Sequence, residues 1–232
     1  MMRRRYLVPV LCGIVLAACS SGSNTVYEKL GPLLQQELFG GPILGGEKQP
    51  PAEPHEMTRA ELNKIPYATI GLRIGDGQRA FVVPLADNDG SLVYQDPARR
   101  GIVMQGGLVT GTHGLGNDLD ALAHRADDPV VVPTPVPEWP SEVERSYAYT
   151  VRGLRPYEIA VTCTYQRGAR EFVDIVELRF EVVRVEETCR NPRRTFTNTY
   201  WAAPDSGFIW KSVQWVGPRL SPLTVEIVRP YG

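Results

Sequence analysis

The sequence has little of what most enzyme sites need. Its 232 residues include only 3 histidines and 4 cysteines. His55, His113 and His124 are not at metal-binding spacing, and neither an H-E-x-x-H nor a G-x-S-x-G motif occurs. These absences argue against a zinc protease and against a serine hydrolase of the α/β-hydrolase type. The sequence therefore predicts a protein that is not an enzyme and that holds no metal and no cofactor.

An excess of positive charge is also lacking. The chain has 25 basic and 26 acidic side chains, and three of the arginines lie at positions 3 to 5, in a segment that we expect to be removed. The remaining 22 basic side chains face 26 acidic ones, which gives a formal net charge of −4. This balance argues against a nucleic-acid partner.

The N-terminus has the pattern of a secretory signal. Arg3, Arg4 and Arg5 precede an apolar run from residue 6 to 15, which ends in Leu-Ala-Ala-Cys at positions 16–19. This ending resembles the bacterial lipobox, which implies cleavage after residue 18 and lipidation of Cys19. Because Ser20 follows, we expect an outer-membrane anchor that faces the periplasm. The alternatives are an ordinary secretory signal or an uncleaved membrane anchor.

Two cysteines remain once Cys12 leaves with the signal and Cys19 takes lipid. Cys163 and Cys189 would then be alone in an oxidising compartment, which predicts a disulfide. A loop of roughly 25 residues would contribute about 3 kcal/mol to stability on the chain-entropy estimate. The alternative, a metal or redox pair, lacks C-x-x-C spacing and neighbouring histidines.

The first part of the mature chain alternates between turn signals and short apolar patterns. We expect a lipidated tether with a short helix over 19–56, and a capping box, Thr58 to Glu61, starts a helical turn over 59–64. Alternating apolar residues predict a strand at 69–74. Further strands at 79–85, 91–95, 102–105 and 108–112 complete an N-terminal β-rich half, 57–126.

Proline dominates residues 127–145, which contain five prolines and cannot form a helix or an interior strand over most of their length. This segment is either an extended connector between two β-rich halves or a long surface loop of one domain.

The C-terminal half, 146–232, has the clearest strand pattern. Residues 157–165 alternate between an apolar and a polar face, 166–170 are predicted to turn, and the return strand changes phase at Val183, which predicts a bulge. Strands at 195–202, 208–216 and 223–228 follow. The predicted fold is mainly β, an antiparallel meander forming a barrel-like or sandwich-like domain, with a few short helices near the N-terminus.

The stretch Q-G-G-L-V-T-G-T-H-G-L-G-N-D, residues 105–118, packs five glycines around His113. Its spacing fits no phosphate-binding loop, and no lysine follows. We predict a hairpin at Gly106-Gly107, a bend at Gly114 to Gly116, and a short helix capped by Asn117 or Asp118. A catalytic or metal pair of His113 with Asp118 and Asp120 remains an alternative.

Aromatic residues concentrate near the C-terminus. Trp201, Trp210 and Trp215 suit either the core or, where they are exposed, the stacking of sugar rings. Phe208 and Trp210 alternate with Ile209, so one of the two sets is expected to face outward.

Three blocks of sequence carry a family resemblance: T-R-A-E-L-N-K-I-P-Y-A-T-I-G-L-R, the glycine stretch through Leu119, and N-T-Y-W-A-A-P-D-S-G-F-I-W-K-S-V-Q-W-V-G-P. Together they resemble the YjbF family of lipoproteins, which includes the group 4 capsule protein GfcB. The resemblance implies a β-rich outer-membrane lipoprotein encoded with capsule or exopolysaccharide secretion components. It supplies no catalytic residue, and it makes Gly114, Gly116, Asn117 and Asp118 signature positions.

The resemblance predicts a lipid-anchored periplasmic accessory protein for production or export of capsular polysaccharide or exopolysaccharide. Such a protein would act by binding export or secretion components, or the polysaccharide itself. Two alternatives stay open: an enzyme that modifies or trims the glycan with Asp118 and Asp120, and an envelope structural lipoprotein unrelated to polysaccharide.

Overall fold

The computed structural model describes residues 57–96, 98–151 and 157–231. The predicted signal peptide, the lipidation site at Cys19 and the tether and helix over 19–56 lie outside the described residues. In the described part of the chain, no helix has the length and the apolar character needed to cross a membrane.

The predicted capping box is present. Helix α1 spans Arg59–Leu62, and its N-cap Thr58 accepts a hydrogen bond from the Glu61 amide while the Glu61 carboxylate accepts one from the Thr58 amide. The helix ends two residues earlier than predicted. Its Leu62 packs with Met57 and Phe81 on a small apolar cluster outside the main core.

The rest of the described chain is almost entirely strand. The strands are β1 Thr69–Ile74, β2 Ala80–Val82, β3 Pro84–Asn88, β4 Ser91–Gln95, β5 Gly101–Gln105, β6 Leu108–His113, β7 Asn117–His124, β8 Glu142–Val151, β9 Tyr157–Ile175, β10 Leu178–Asn191, β11 Arg194–Ala202, β12 Ile209–Gln214 and β13 Leu223–Arg229. They form a nine-stranded sheet in the order β2-β1-β13-β12-β11-β10-β9-β8-β7 and a four-stranded sheet in the order β3-β4-β5-β6. All pairs are antiparallel, and the sheets make a half-barrel, so the predicted mainly β class is confirmed.

The nine-stranded sheet combines strands from both sides of the proline-rich segment. Strands β1, β2 and β7 precede that segment, β8 begins inside it, and β9 to β13 follow it. Strand β1 pairs with β13, so the beginning and the end of the described chain lie side by side. Both predicted halves therefore contribute to one continuous sheet.

Two apolar clusters hold the sheets together. The four-stranded sheet packs on β1, β2 and β13 through Ile70, Tyr94, Ile102 and Leu223, all nearly inaccessible to solvent. A larger cluster fills the concave side of β7 to β12. Each fully buried Val, Leu, Ile or Phe side chain contributes roughly 1.5–3 kcal/mol relative to an exposed one.

Residues 127–141 cross the concave side of the nine-stranded sheet. Trp139 lies edge-on to Tyr165 and Tyr200 at 5.1 and 6.5 Å, and Val136 starts a short 3₁₀ helix, Val136–Glu138. Strand β8 begins at Glu142, inside the range predicted to be proline-rich connector. Val136 and Trp139 of this segment belong to the same apolar cluster as Val161 of β9 and Tyr200 of β11.

The β9–β10 hairpin corrects one prediction. Residues 166–170 do not turn; β9 continues to Ile175, and the turn lies at Val176 and Glu177, whose φ values are +42° and +66°. Residues 166–172 are exposed, so no apolar alternation marks them as a strand. The predicted bulge is confirmed between Val183 and Val185.

The strand predicted at 79–85 is also wrong in part. It divides into β2, which ends at Val82 in the nine-stranded sheet, and β3, which starts at Pro84 in the four-stranded sheet. Proline has no amide hydrogen to donate to a sheet, and the register of β3 with β4 shifts directly after Pro84.

Candidate functional site

The first half of the glycine stretch turns a hairpin, as predicted. Gly106, at a φ of +53°, and Gly107 join β5 to β6. A Cβ atom on Gly107 would lie 2.5 Å from Cγ1 of Ile209, so the turn fits closely against β12. The buried Gln214 side chain accepts a hydrogen bond from the Val109 amide at 3.0 Å and donates one to the Gly107 carbonyl at 2.8 Å. This turn packs against β12 and joins two strands, so it is not a glycine-rich loop that leads into a phosphate-binding helix.

The second half does not form the predicted helix. Gly114 and Gly116 have φ values of +72° and +91°, and the chain then enters strand β7 at Asn117. The Asp118 carboxylate does not cap a helix. It accepts hydrogen bonds from the Thr112 hydroxyl at 3.0 Å and from the Leu115 amide at 3.1 Å.

These contacts give Asp118 a role in the turn between β6 and β7. The Thr112 hydroxyl also accepts a hydrogen bond from the Leu119 amide at 2.9 Å, so it joins the ends of the two strands. The Asp120 carboxylate accepts a hydrogen bond from Thr150 at 2.6 Å on the neighbouring strand β8. Both acids named in the glycan-trimming alternative are therefore engaged in contacts that hold strands and turns.

His113 lies across from Gly101, whose missing side chain leaves room for the imidazole. A Cβ atom there would be 2.7 Å from Cε1 of His113. Among the described residues, the metal-capable group that the structure brings together is Cys163, Glu187 and Cys189. Its two sulfurs are joined to each other in a disulfide with an S–S distance of 2.03 Å.

A buried polar cluster lies next to that disulfide, on the concave side of the nine-stranded sheet. Arg145 on β8 pairs with Asp128 at 2.8 Å and with Glu187 on β10 at 2.8 Å, and all three side chains are inaccessible to solvent. Glu187 also accepts hydrogen bonds from Asn198 at 2.7 Å and from Tyr200 at 3.1 Å. This buried polar cluster ties the proline-rich segment to three strands.

The pKa shifts in the buried polar cluster have clear causes. Burial alone would lower the pKa of Arg145, but the Glu187 charge and the hydrogen-bonded Asp128 hold it well above its ordinary value. Burial, reinforced by the Glu187 charge, raises the pKa of Tyr200 well above its ordinary value. Arg145 therefore stays charged and Tyr200 stays neutral over the physiological pH range, which suits a structural role for these two side chains.

The three tryptophans named above as possible sugar-binding residues have different surroundings. Trp215 stacks on Phe196 at 4.0 Å beside the main core, and Trp210 stacks on Phe180 at 3.8 Å next to the β9–β10 hairpin. Trp201 lies on the outer side of β11, half-buried. Its indole N–H donates a hydrogen bond to Glu171 at 2.6 Å, and the Lys211 ammonium lies 5.5 Å from its ring centroid.

The outer side of β9 to β11 forms a polar surface that we call the threonine face. The register aligns Thr164, Thr188 and Thr197 in one row across the three strands. The neighbouring rows contain Arg190 and Glu186, and the last row pairs Arg184 with Trp201. The members of the threonine face are Thr162, Thr164, Gln166, Arg184, Glu186, Thr188, Arg190, Thr195, Thr197, Thr199 and Trp201.

Most hydroxyls of the threonine face lack an internal partner. Within residues 57–96, 98–151 and 157–231, no side-chain hydrogen bond involves the hydroxyl of Thr162, Thr188, Thr195, Thr197 or Thr199. Thr164 makes one long hydrogen bond, of 3.4 Å, to the Thr188 carbonyl. These hydroxyls are oriented outward and are free to bind water or a ligand.

One end of the threonine face opens into a groove of about 610 Å³. Thr162 and Arg190 belong to both the groove and the face, and Glu144 lies beside Thr162 on β8. Small residues, Ala123 and Ala160, leave space between these polar groups. The volume is within the range of roughly 300–1,000 Å³ that is typical of ligand sites.

The charges along the groove and the threonine face are balanced. Arg184 and Arg190 stand against Glu144 and Glu186, and Arg125, which also lines the groove, is paired with Asp127 at 2.9 Å. The Arg184–Glu186 contact is long, at 3.4 Å. A surface of this kind suits a ligand rich in hydroxyl groups better than a polyanion such as nucleic acid.

Sequence reasoning missed the threonine face, although its signal was present. Polar residues alternate with apolar ones at 162–166, and threonine recurs at every second position over 195–199. The pattern shows that each strand has a polar side. It does not show which strands pair, and only the register aligns these residues in rows.

The chain matches the family described as group 4 capsule polysaccharide lipoprotein GfcB, YjbF over residues 30–228. It is 23% identical to the uncharacterized lipoprotein YjbF of Escherichia coli K12, with 98% of each chain covered. It is also 23% identical to the uncharacterized lipoprotein GfcB of the same strain, over 73% of this chain and 79% of that one.

A solved structure shares the fold. The crystal structure of the hypothetical lipoprotein YmcC from Escherichia coli K12 superposes with a TM-score of 0.63 at 20% identity, over 75% of this chain and 90% of that one. The family match extends across both sheets and includes the glycine stretch and the strands of the threonine face. The chain therefore belongs to the YjbF/GfcB family of group 4 capsule polysaccharide lipoproteins.

Proposed function

We infer that this protein is a lipid-anchored accessory protein for the production or export of a capsular polysaccharide or exopolysaccharide. Lipid on Cys19 would hold it at the outer membrane, facing the periplasm, where it would bind the glycan through its threonine face. The family's description as capsule polysaccharide lipoproteins supports the polysaccharide context.

The observation that carries this proposal is the row of threonine hydroxyls that continues into the groove. Glu144, Thr162 and Arg190 occupy one row across β8, β9 and β10. Opposite side chains on neighbouring strands lie about 5 Å apart at Cβ, so this row offers an acceptor, a hydroxyl and a donor at close spacing. Carbohydrate hydroxyls both donate and accept hydrogen bonds, so they can pair with all three groups.

A binding measurement and a complementation measurement test the proposal together. The protein without its first 19 residues is mixed with extracellular polysaccharide purified from cells that express it. Changing Thr164, Thr188 and Thr197 to Val removes hydroxyls but keeps the β-branched shape. Each lost hydrogen bond should lower the affinity by about twofold to tenfold. Thr134→Val, a hydroxyl removed from the proline-rich segment, is the matched control.

In cells, deletion of the gene should reduce the amount or the length of extracellular polysaccharide. The wild-type gene should restore it, and the gene with the three threonine changes should not. Unaltered polysaccharide after deletion would contradict the proposed role. If the triple variant bound the polysaccharide and complemented the deletion like the wild type, the threonine face would not be the binding site.

Cys19→Ala tests the anchor in the same strain. The variant should leave the membrane fraction for the soluble periplasmic fraction. Continued membrane association would contradict the lipidation of Cys19.

A further inference from the structure

The groove and Trp201 stand at opposite ends of the threonine face. Thr195 pairs with Arg190 at the groove end of β11, and Trp201 pairs with Arg184 at the far end. Six residue steps along an antiparallel strand separate Thr195 from Trp201, which corresponds to about 20 Å. One sugar ring cannot reach from one end to the other.

The residues between the groove and Trp201 also present hydrogen-bonding side chains. Thr197 and Thr199 face outward at every second position of β11, and the neighbouring strand places Thr188 and Glu186 beside them. No large apolar side chain interrupts this line. The described residues therefore present one uninterrupted strip of hydrogen-bonding groups, with the groove at one end and an indole at the other.

Trp201 is held in place at its end of the strip. Its indole N–H donates to Glu171 on the β9–β10 hairpin, and the Lys211 ammonium, from β12, lies over its ring at 5.5 Å from the centroid. Both contacts involve charged groups, and Lys211 is itself paired with Glu226 at 2.9 Å. A fixed, half-exposed indole loses little freedom when a ligand packs against it, which favours its use as a stacking platform.

We propose that the threonine face binds its glycan as an extended segment of several sugar units. The segment lies along β11, with one end in the groove and the other end stacked on Trp201. This inference rests on the proposed function and adds the form of the ligand: a polymer segment long enough to span both ends, rather than a single sugar or a chain terminus. Because the charges along the strip are balanced, we expect the bound segment not to be a dense polyanion.

An extended site predicts a specific dependence on ligand length. The probe is the extracellular polysaccharide of the expressing strain, partially hydrolysed and separated by size, and the affinity of each fraction is measured by calorimetry. Short fragments should bind the groove weakly. Fragments that span both ends should bind at least about tenfold more tightly, because contacts at the second end become intramolecular, and the affinity should then level off.

Trp201→Ala should affect only the long fragments. Their affinity should fall by about threefold to tenfold, toward that of the short ones, while short fragments bind as they do to the wild type. Trp201→Phe keeps an aromatic ring and should retain the dependence on length. Arg190→Ala, at the groove end, should weaken short and long fragments alike.

A measurement on the wild-type protein avoids any doubt about folding of the variants. The indole N–H resonance of Trp201, assigned as the one lost in Trp201→Phe, should shift on addition of long fragments and stay unchanged with short ones. Equal affinity for short and long fragments, or a shift with both, would overturn the extended site but leave glycan binding intact. Binding of no fragment at all would overturn both proposals.

Discussion

Strands β8 to β11 have two polar surfaces, one on each side of the same sheet. On the concave side, Arg145 and Tyr200 both bond to Glu187 without access to solvent. On the outer side, the hydroxyls of Thr188 and Thr197 have no side-chain partner among the described residues. Because strand residues alternate between faces, one stretch of sequence encodes both surfaces. Polar groups that find partners inside the protein stabilise the fold, and those left without partners are available for binding.

Removal of the Arg145 charge should cause the largest loss of stability on the concave side. Arg145→Met leaves the carboxylates of Asp128 and Glu187 buried without a counter-charge, which should lower the free energy of unfolding by about 3–5 kcal/mol. Urea denaturation measures the loss. Arg170→Met is the matched control, because Arg170 pairs with Glu181 at an exposed site, and it should cost at most about 1 kcal/mol. Equal losses would contradict a special role for the buried polar cluster.

The disulfide beside that cluster should have the next largest effect. Cys163 and Cys189 lie opposite each other on β9 and β10, 26 residues apart in sequence. Replacing both with alanine should lower the free energy of unfolding by about 3 kcal/mol, since the unfolded chain loses its cross-link. The wild type unfolded in reductant should approach the variant. Free thiols in protein isolated from the periplasm would show that the bond does not form in cells.

The sequence predicted the β9–β10 hairpin only in part. Alternation at 157–165 predicted the two sides of β9, and the phase change at Val183 predicted a bulge that the structure confirms. The turn at 166–170 was wrong because the hairpin extends beyond the core, where both sides of a strand are exposed. Where neither side of a strand is buried, the sequence does not alternate between apolar and polar residues, so the strand cannot be distinguished from a loop.

The buried polar cluster depends on contacts between distant parts of the chain. Glu187 lies between Val185 and Cys189 on the apolar side of β10, a position where an acid needs a buried partner. Its partners come from positions 145, 198 and 200, at sequence separations of 42, 11 and 13 residues. Local pattern identifies such a position as unusual, and only the sheet register identifies what it binds.

A third polar site, around Glu226, is less buried than the cluster around Arg145 and less exposed than the threonine face. Glu226 on β13 is nearly buried, and it pairs with the partly exposed side chains of Arg79 at 2.8 Å and Lys211 at 2.9 Å. Burial would raise the pKa of Glu226, but its two cationic neighbours lower it below the ordinary value. A carboxylate with a depressed pKa stabilises the fold above its unfolded pKa of about 4.3, and this contribution is lost as the pH falls through the folded value.

Glu226→Gln should therefore reduce stability at neutral pH, by about 1 kcal/mol, and have less effect in acid. The measurement is urea denaturation between about pH 7 and pH 3, and the wild-type and variant curves should converge at the acidic end. Glu181→Gln, at an exposed pair, should change the free energy of unfolding at neutral pH by less than about 0.5 kcal/mol. A constant difference between wild type and Glu226→Gln at all pH values would contradict the linkage.

The smallest expected change in stability comes from the outer surface, and a comparison with Thr112, near the turn between β6 and β7, separates partnered from unpartnered hydroxyls most sharply. Thr112→Val and Thr197→Val are the same chemical change. The Thr112 hydroxyl bonds to Asp118 and to the Leu119 amide, so its loss should cost about 1–3 kcal/mol, whereas the Thr197 hydroxyl has no partner within the described chain and its loss should cost less than about 0.5 kcal/mol. Binding of the polysaccharide should show the opposite order, weakened by Thr197→Val and unchanged by Thr112→Val in protein that is still folded. If Thr197→Val lowered stability as much as Thr112→Val and left binding unchanged, the outer threonines would be structural, and the distinction between the two surfaces would fail.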